Sequence, residues 1–314
     1  MDKFSSLQIF VRVAETGSFS AVAKELGKSQ SSVSKSIAAL EKNLGALLLN
    51  RTTRSLSLTE DGERYFEEVR RLMTEFLDAE SILKRGVQQI SGNLRIAASV
   101  GYGRKVLMPL VAQFLREHPD VSIDLNLNDG WIDIVEQGVD VAIRIGDLPD
   151  SSLLAKKVGI THRCLVASHD YLTSVKKTIG IPRTPADLVN HQCVVYTGLQ
   201  RRNIWEFNAR DGTTEGVRVS GNFQSNSSIA IYEAGLKGMG ICYSPTWLFE
   251  EEIKSGEIKV LLGDWSMRPL PIHAVYPPQR KHSAKVKAFV EHLSRHLALN
   301  EAHGRRNSMV PEPE

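Results

Sequence analysis

The stretch Ser29-Gln30-Ser31-Ser32-Val33-Ser34-Lys35 crowds four hydroxyls, a carboxamide and an ammonium into seven consecutive positions. Serine competes with its own backbone and lowers helix propensity, so a helix that opens this way gives up stability for something outside itself. Hydroxyls and a carboxamide hydrogen-bond base edges in a major groove, and a nearby lysine reaches a phosphate. A second set, Arg51, Thr52, Thr53 and Arg54, follows closely. Arginine there lies along a phosphate ridge or enters a minor groove, whereas the bland alternative is a solvated basic loop. Between residues 24 and 54 six cations face two anions, a local +4 in a chain whose net charge is +3. Such a patch on a near-neutral protein suits docking onto phosphates better than nonspecific coating of polyanions.

A third set lies further along. Ser99, Val100, Gly101 and Tyr102 precede one helical stretch, and Ser225, Asn226 and Ser227 precede another. Hydroxyls and amides at the positive end of a helix dipole favour a carboxylate or another small anion. Arg144, at the end of a strand, adds a charge, and Tyr196 and Thr197 lie near an expected chain crossover. The alternatives are plain helix caps for the serines and an ion pair from Arg144 to Asp140 or Asp147.

The elements that must hold these groups follow from periodicity. Phe4, Leu7, Phe10, Val13 and Ala14 recur at helical spacing up to Gly17, and Ser18 caps a short second helix that stops at Gly27. Ser29 caps a third, in which Val33, Ile37, Leu40 and Leu44 form an inward stripe and the serines face away. Two helices across a glycine-containing turn, the second polar at its start, make a helix-turn-helix. The basic segment after Gly45 reads as a hairpin with Arg51 to Ser55 at its tip, a wing. Thr59 then caps a long helix in which Val69, Phe76, Leu83 and Ile90 repeat every seven residues, a seam for a second copy of the chain that is interrupted by Glu80.

From Leu94 short apolar strands alternate with helices. "NLRIAAS", "VSIDLNL" and "VDVAIRIG" read as strands, Arg104 to Glu117 and "WIDIVEQG" as helices, and Ser283 to Leu297 as the last helix. That is α/β organisation around a mostly parallel sheet. The three cysteines, Cys164, Cys193 and Cys242, show no disulfide or metal-ligand spacing and read as buried thiols in a reducing cytoplasm. No export signal, membrane span or metal site is expected.

With these residues in view, "LQIFVRVAETGSFSAVAKELGKSQSSVSKSIAALEKNLGALLLNRTTRSLSLTEDG" closely resembles the winged helix-turn-helix of LysR-type transcriptional regulators. Val22, Leu48 or Leu49, and Asp61 depart from the family's usual alanine, phenylalanine and alanine. The resemblance continues through "GNLRIAAS", "VDVAIRIGDL" and the segment Arg183 to Cys193 to about Leu299. It implies a winged helix-turn-helix over 1–59 and a linker helix over 60–91. A two-lobed, periplasmic-binding-protein-like effector domain follows over 92–299. Lobe 1 takes 92–165 and 266–299, lobe 2 takes 166–265, and 300–314 forms a disordered tail. The implied function is a cytoplasmic regulator that binds double-stranded promoter DNA as a homodimer or homotetramer, engages RNA polymerase, and responds to a small effector between the lobes without a further cofactor. An enzyme is the alternative from another class, but no nucleophile elbow, phosphate-cradling loop or His/Cys cluster supports it. An architectural DNA binder without an effector is the third reading.

Overall fold

The computed structural model describes residues 3–51, 56–83, 90–130, 132–198 and 203–307, with side chains omitted at 51, 74–75, 77–83 and 299–307. It divides into two compact units, residues 1–88 and 89–314. Among the described residues no helix is long and apolar enough to cross a membrane.

The first unit opens with α1 (Lys3–Thr16), α2 (Phe19–Glu25) and α3 (Gln30–Leu44). The antiparallel pair β1 (Leu49–Arg51) and β2 (Leu56–Leu58) follows, then α4 (Glu60–Leu83). Ile9, Phe10, Val13, Val22, Val33, Ile37 and Leu40 build its core. Leu44, placed on the same stripe by spacing, is 40% exposed because α3 ends there and Gly45 turns away in the left-handed conformation at φ 70°. Thr59 caps α4 as the sequence predicts: its Oγ1 accepts from Gly62 N–H at 2.9 Å and donates to Leu47 O at 2.6 Å. Gly62 is required there, since a Cβ would lie 2.0 Å from Leu48 O. Of the seven-residue stripe of α4, Val69 packs into its own domain beside Phe66 and Met73, and Phe76, 47% exposed, packs on Phe4 with ring centroids 4.6 Å apart; Leu72, off the stripe, is 54% exposed. Lys84 to Gln89, the end of the expected linker, lie outside the described residues.

The second unit carries two five-stranded sheets. Lobe 1 starts with β3 (Gly92–Ala98) and a helical run made of α5 (Val100–Tyr102), a π turn (Gly103–Leu107) and α6 (Met108–Glu117). Next come β4 (Val121–Leu127), β5 (Val141–Ile145) and β6 (Leu154–Thr161). Lobe 2 contains β7 (Arg163–Ser168), α7 (His169–Lys176), β8 (Cys193–Tyr196), β9 (Ile204–Asn208), β10 (Thr214–Arg218) and β11 (Phe223–Ser225). It continues through α8 (Ser228–Leu236), β12 (Ile241–Pro245), α9 (Glu250–Ser255) and β13 (Ile258–Leu261). The chain then returns to lobe 1 as β14 (Leu270–Tyr276) and ends in α10 (Ala284–Asn307).

The strand orders are β4-β3-β5-β14-β6 and β11-β8-β12-β7-β13. Each sheet holds two parallel and two antiparallel pairings, so both are mixed where a mostly parallel sheet was expected. The cause is topological: β6 and β7 join directly across His162, and β14 returns between β5 and β6. The first crossover therefore falls ahead of the expected boundary at 165/166. "WIDIVEQG" is no helix in its described part, because Asp133 Oδ1 captures the N–H groups of Val135 and Glu136 and closes a single turn ending at Gly138. The last helix runs beyond Leu297 to Asn307, through part of the expected disordered tail, since nothing in Asn300-Glu301-Ala302 breaks it. Residues 308–314 lie outside the described residues.

Candidate functional site

The helix-turn-helix is held rigid from behind. Arg12 on α1 reaches Glu25 on α2 through Nε at 2.9 Å and Nη2 at 2.8 Å, and Glu15 through Nη1 at 2.6 Å. Those bonds hold the Arg12 guanidinium firmly protonated and draw the Glu25 carboxyl below its ordinary value, the Arg12–Glu25 hydrogen bond being the larger cause in each case. Glu41, 7% exposed at the far end of α3, accepts the N–H groups of Leu48 and Leu49 at 3.0 and 3.2 Å and so fixes the start of the wing. Nothing in the spacing of Glu41 distinguishes it from a solvated glutamate; only the buried backbone it faces does.

On this frame α3 presents its polar residues unequally. Gln30, Ser31 and Lys35 are exposed, and Ser32 and Ser34 are half-buried. The Ser29 hydroxyl is engaged within the chain: it accepts Ser32 N–H at 3.2 Å as the helix cap and lies 3.0 Å from Ser31 Oγ. Ser36, buried, donates to Ser32 O at 2.8 Å. The exposed polar residues in the first turns of α3 are therefore Gln30, Ser31, whose hydroxyl shares the contact with Ser29, and Lys35. Arg51 closes β1 opposite Leu56, but its side chain and all of Thr52, Thr53 and Arg54 lie outside the described residues.

In the second unit the segments 99–102 and 225–227 come together at the seam between the lobes, through Gly101 and Ser228. Gly101 on α5 faces the first residue of α8: a Cβ at Gly101 would stand 2.3 Å from Ser228 Oγ and 3.5 Å from Trp247 Cη2. Tyr102, 1% exposed, packs edge-on against Trp247 at 5.5 Å. Tyr102 Oη, Ser228 Oγ and Trp247 Nε1 are all buried with no hydrogen-bond partner among the described residues. Burial holds the Tyr102 phenol protonated, its pKa pushed above the usual value. Behind Ser228, Ser225 Oγ accepts Ser227 N–H at 3.1 Å, Thr197 N–H donates to Ser225 O at 2.8 Å, and Asn226 is exposed.

The two helix starts at this seam differ. Val100 N–H at the head of α5 donates to Asp129 Oδ1 at 2.9 Å, so the chain's own carboxylate already occupies the anion position there, and the Ser99 hydroxyl caps nothing. At α8 the N-cap residue Ser227 makes no side-chain cap. Tyr196, largely desolvated and near the Asp129 charge, is also held in its phenol form. Arg144 donates to Ile132 O at 3.2 Å; Arg280 binds Asp140 at 2.9 Å and Arg268 binds Asp147 at 2.8 Å. Sequence reading missed Asp129, Ser228 and Trp247. The first two were within reach, Asp129 in the turn after β4 and Ser228 one residue past Ser227; Trp247 carried no local signal.

The comparisons with known proteins match both units. A family model for the "LysR substrate binding domain" matches residues 88–298, and one for the "Bacterial regulatory helix-turn-helix protein, lysR family" matches residues 4–63. The chain belongs to the LysR family of transcriptional regulators. Its similarity to the HTH-type transcriptional activator AaeR of Escherichia coli (strain K12) is 34% identity, covering 97% of this chain and 99% of that protein. It is 32% identical to the solved structure of CrgA, a LysR-type transcriptional regulator from Neisseria meningitidis, with a TM-score of 0.59 over 93% of this chain and 98% of that one. The full-length structure of the Vibrio cholerae virulence activator AphB is 29% identical with a TM-score of 0.55, over 93% of this chain and 98% of that one. These LysR relatives are regulators and not enzymes, so the catalytic alternative falls away. The chain is thus a LysR-type DNA-binding transcriptional regulator with an effector-binding domain.

Proposed function

We propose that this regulator reads its operator chiefly through Gln30, Ser31 and Lys35 of α3, and that its effector is a small anion bound at the first turn of α8. The observation that carries the effector reading is the contrast at the seam: the α5 terminus is filled by Asp129, while Ser227 caps nothing and Ser228 Oγ has no partner among the described residues. A buried hydroxyl and first-turn amides are donors aimed at negative charge. An effector that binds one lobe arrangement better than another shifts the population and, through it, the DNA complex and the access of RNA polymerase. The protein acts in the cytoplasm as a homo-oligomer, with the exposed Leu72 of α4 part of the surface between copies, and dimer against tetramer decides how many half-sites are bridged.

A footprint on the DNA upstream of its own coding region tests the first half. Paired protection one or more helical turns apart is expected, and Gln30→Ala weakens specific binding by about 2 kcal/mol while sparing random DNA. Equal losses on both DNAs remove the base-reading role. A thermal-shift screen of small carboxylates, phosphate and matched neutral compounds tests the second half. Hits confined to neutral compounds overturn the anion reading.

A further inference from the structure

The seam around Ser228 continues one helical turn further, and there it changes character. Ser228 and Tyr232 lie four apart on α8 and share a face, and the lobe 1 run sets Gly101 and Lys105 against them in turn. Gly101 meets Ser228, and Lys105 meets Tyr232: the Lys105 ammonium sits 4.7 Å from the Tyr232 ring centroid. The same Nζ lies 3.7 Å from Glu252 Oε1 and 3.7 Å from Glu251 Oε2 on α9. Tyr232 Oη donates to Glu252 Oε1, which ties α8 to α9. The Lys105 side chain is 24% exposed and that of Glu252 10%, so this pair is only partly screened by solvent, whereas Glu251 at 83% adds little.

Lys105 owes its place to the π turn. Met108 N–H bonds Gly103 O, five residues back, which widens the helix at Gly103–Leu107 and rotates the following residues relative to Val100–Tyr102. Lobe 1 thereby presents a glycine at one end of the seam and a cation at the other. At the glycine end a methyl group would stand 2.3 Å from the Ser228 hydroxyl, which would have to turn away. Ser228 Oγ has no partner among the described residues, and the backbone that covers it belongs to Gly101. In this arrangement the Ser228 hydroxyl faces the Gly101 backbone and not solvent.

We propose that this seam is the gate of the effector site, closed in the unliganded protein, and that Lys105 on Tyr232 and Glu252 is the latch that holds it closed. The proposal rests on the effector reading of the α8 terminus and adds its regulation: the effector competes with the latch. Weakening the latch opens the site without effector.

The test is thiol accessibility in the full chain without DNA or effector. The native thiols suit this, because Cys164, Cys193 and Cys242 are all buried and give a slow background. Ser228→Cys places a nearly isosteric reporter at the gate, labelled with N-ethylmaleimide. Slow labelling is expected with Lys105 present, and about tenfold faster labelling in Lys105→Met, which keeps the apolar stem but loses the ion pair and the cation–π contact. Lys105→Arg keeps both and restores the slow rate. Unreactive native cysteines in every variant show that the fold is intact. Free-thiol labelling with Lys105 in place overturns the closed gate, and an unchanged slow rate in Lys105→Met overturns the latch. Because no effector is used, either failure leaves the anion reading to the ligand screen.

Discussion

On α3, Gln30, Ser31 and Lys35 hold their polar groups in solvent, ready for a partner, and the frame behind them is closed by Arg12, Glu25 and Glu41. At the interlobe seam Tyr102, Ser228 and Trp247 do the reverse: their polar atoms are buried and unpartnered among the described residues. An exposed serine is already hydrated and costs the folded state nothing, whereas a buried unpaired hydroxyl destabilises it until something bonds to it. On the function proposed above, the α3 surface is preformed for DNA, and the seam is held in a state that a ligand relieves. The difference gives opposite signs to the same kind of substitution in the two units.

The largest effect is expected where the preformed surface is anchored. Glu41→Ala leaves Leu48 N–H and Leu49 N–H buried without their acceptor and destabilises the first unit by about 3 kcal/mol; Glu41→Gln, which retains one acceptor oxygen, costs about 1 kcal/mol. All four tryptophans, Trp131, Trp205, Trp247 and Trp265, lie in the second unit, so far-UV helicity should lose a fraction early while tryptophan fluorescence keeps its wild-type midpoint. A common shift of both probes would mean that Glu41 supports more than the wing.

A smaller effect of opposite sign is expected at the seam. Ser228→Ala removes a buried hydroxyl that has no partner among the described residues and should stabilise the effector-free second unit by about 1 kcal/mol, seen as a later tryptophan transition. Ser31→Ala on α3 should leave both transitions in place. Should Ser228→Ala melt earlier than wild type, the hydroxyl is satisfied in solution and the contrast between the two sites fails.

The same contrast explains what the sequence disclosed. Val33, Ile37 and Leu40 announce the α3 core because burial on one helix face leaves a period, and all three are at most 3% exposed. The serines before α8 announce a helix start because capping chemistry is local. Glu41 and Trp247 left no such trace, and Asp129 showed only as a turn residue after β4. Each acts on backbone or rings distant in the chain: Asp129 on Val100, and Trp247 on Tyr102. Periodicity also says which residues face inward but not whose interior receives them, so the α4 stripe pointed to a second chain although Val69 and Met73 are absorbed by their own unit. The mixed sheets were hidden for a related reason, since strand direction is set by a crossover at His162 that has no composition of its own.

Acid distinguishes the two units most gently. None of the nine histidines falls within residues 1–88, so near-neutral titration acts on the second unit. His191 and His292 are buried, and burial lowers both pKa values below the ordinary histidine range. At His191 the Tyr171 hydroxyl accepts Gln192 N–H at 3.1 Å and lies in hydrogen-bond contact with Nδ1 at 3.1 Å; burial disfavours the charged ring, and Asp187 pulls the other way but less. At His292 the neighbouring His296 adds to the lowering, while Glu117, 3.3 Å from Nδ1, opposes it, and Nε2 donates to Leu110 O at 3.0 Å. Both rings are therefore neutral in the folded chain at a pH where the unfolded chain, titrating near pH 6.5, already binds protons. The stability these histidines support is complete above that value and is lost as pH falls through it towards their lowered folded values. Between about pH 7 and pH 5.5 the tryptophan transition should move to lower temperature while the helix signal of the first unit holds, and His292→Gln should flatten the tryptophan shift. A tryptophan midpoint that rises on acidification would mean that Glu117 outweighs burial and that His292 is charged in the fold.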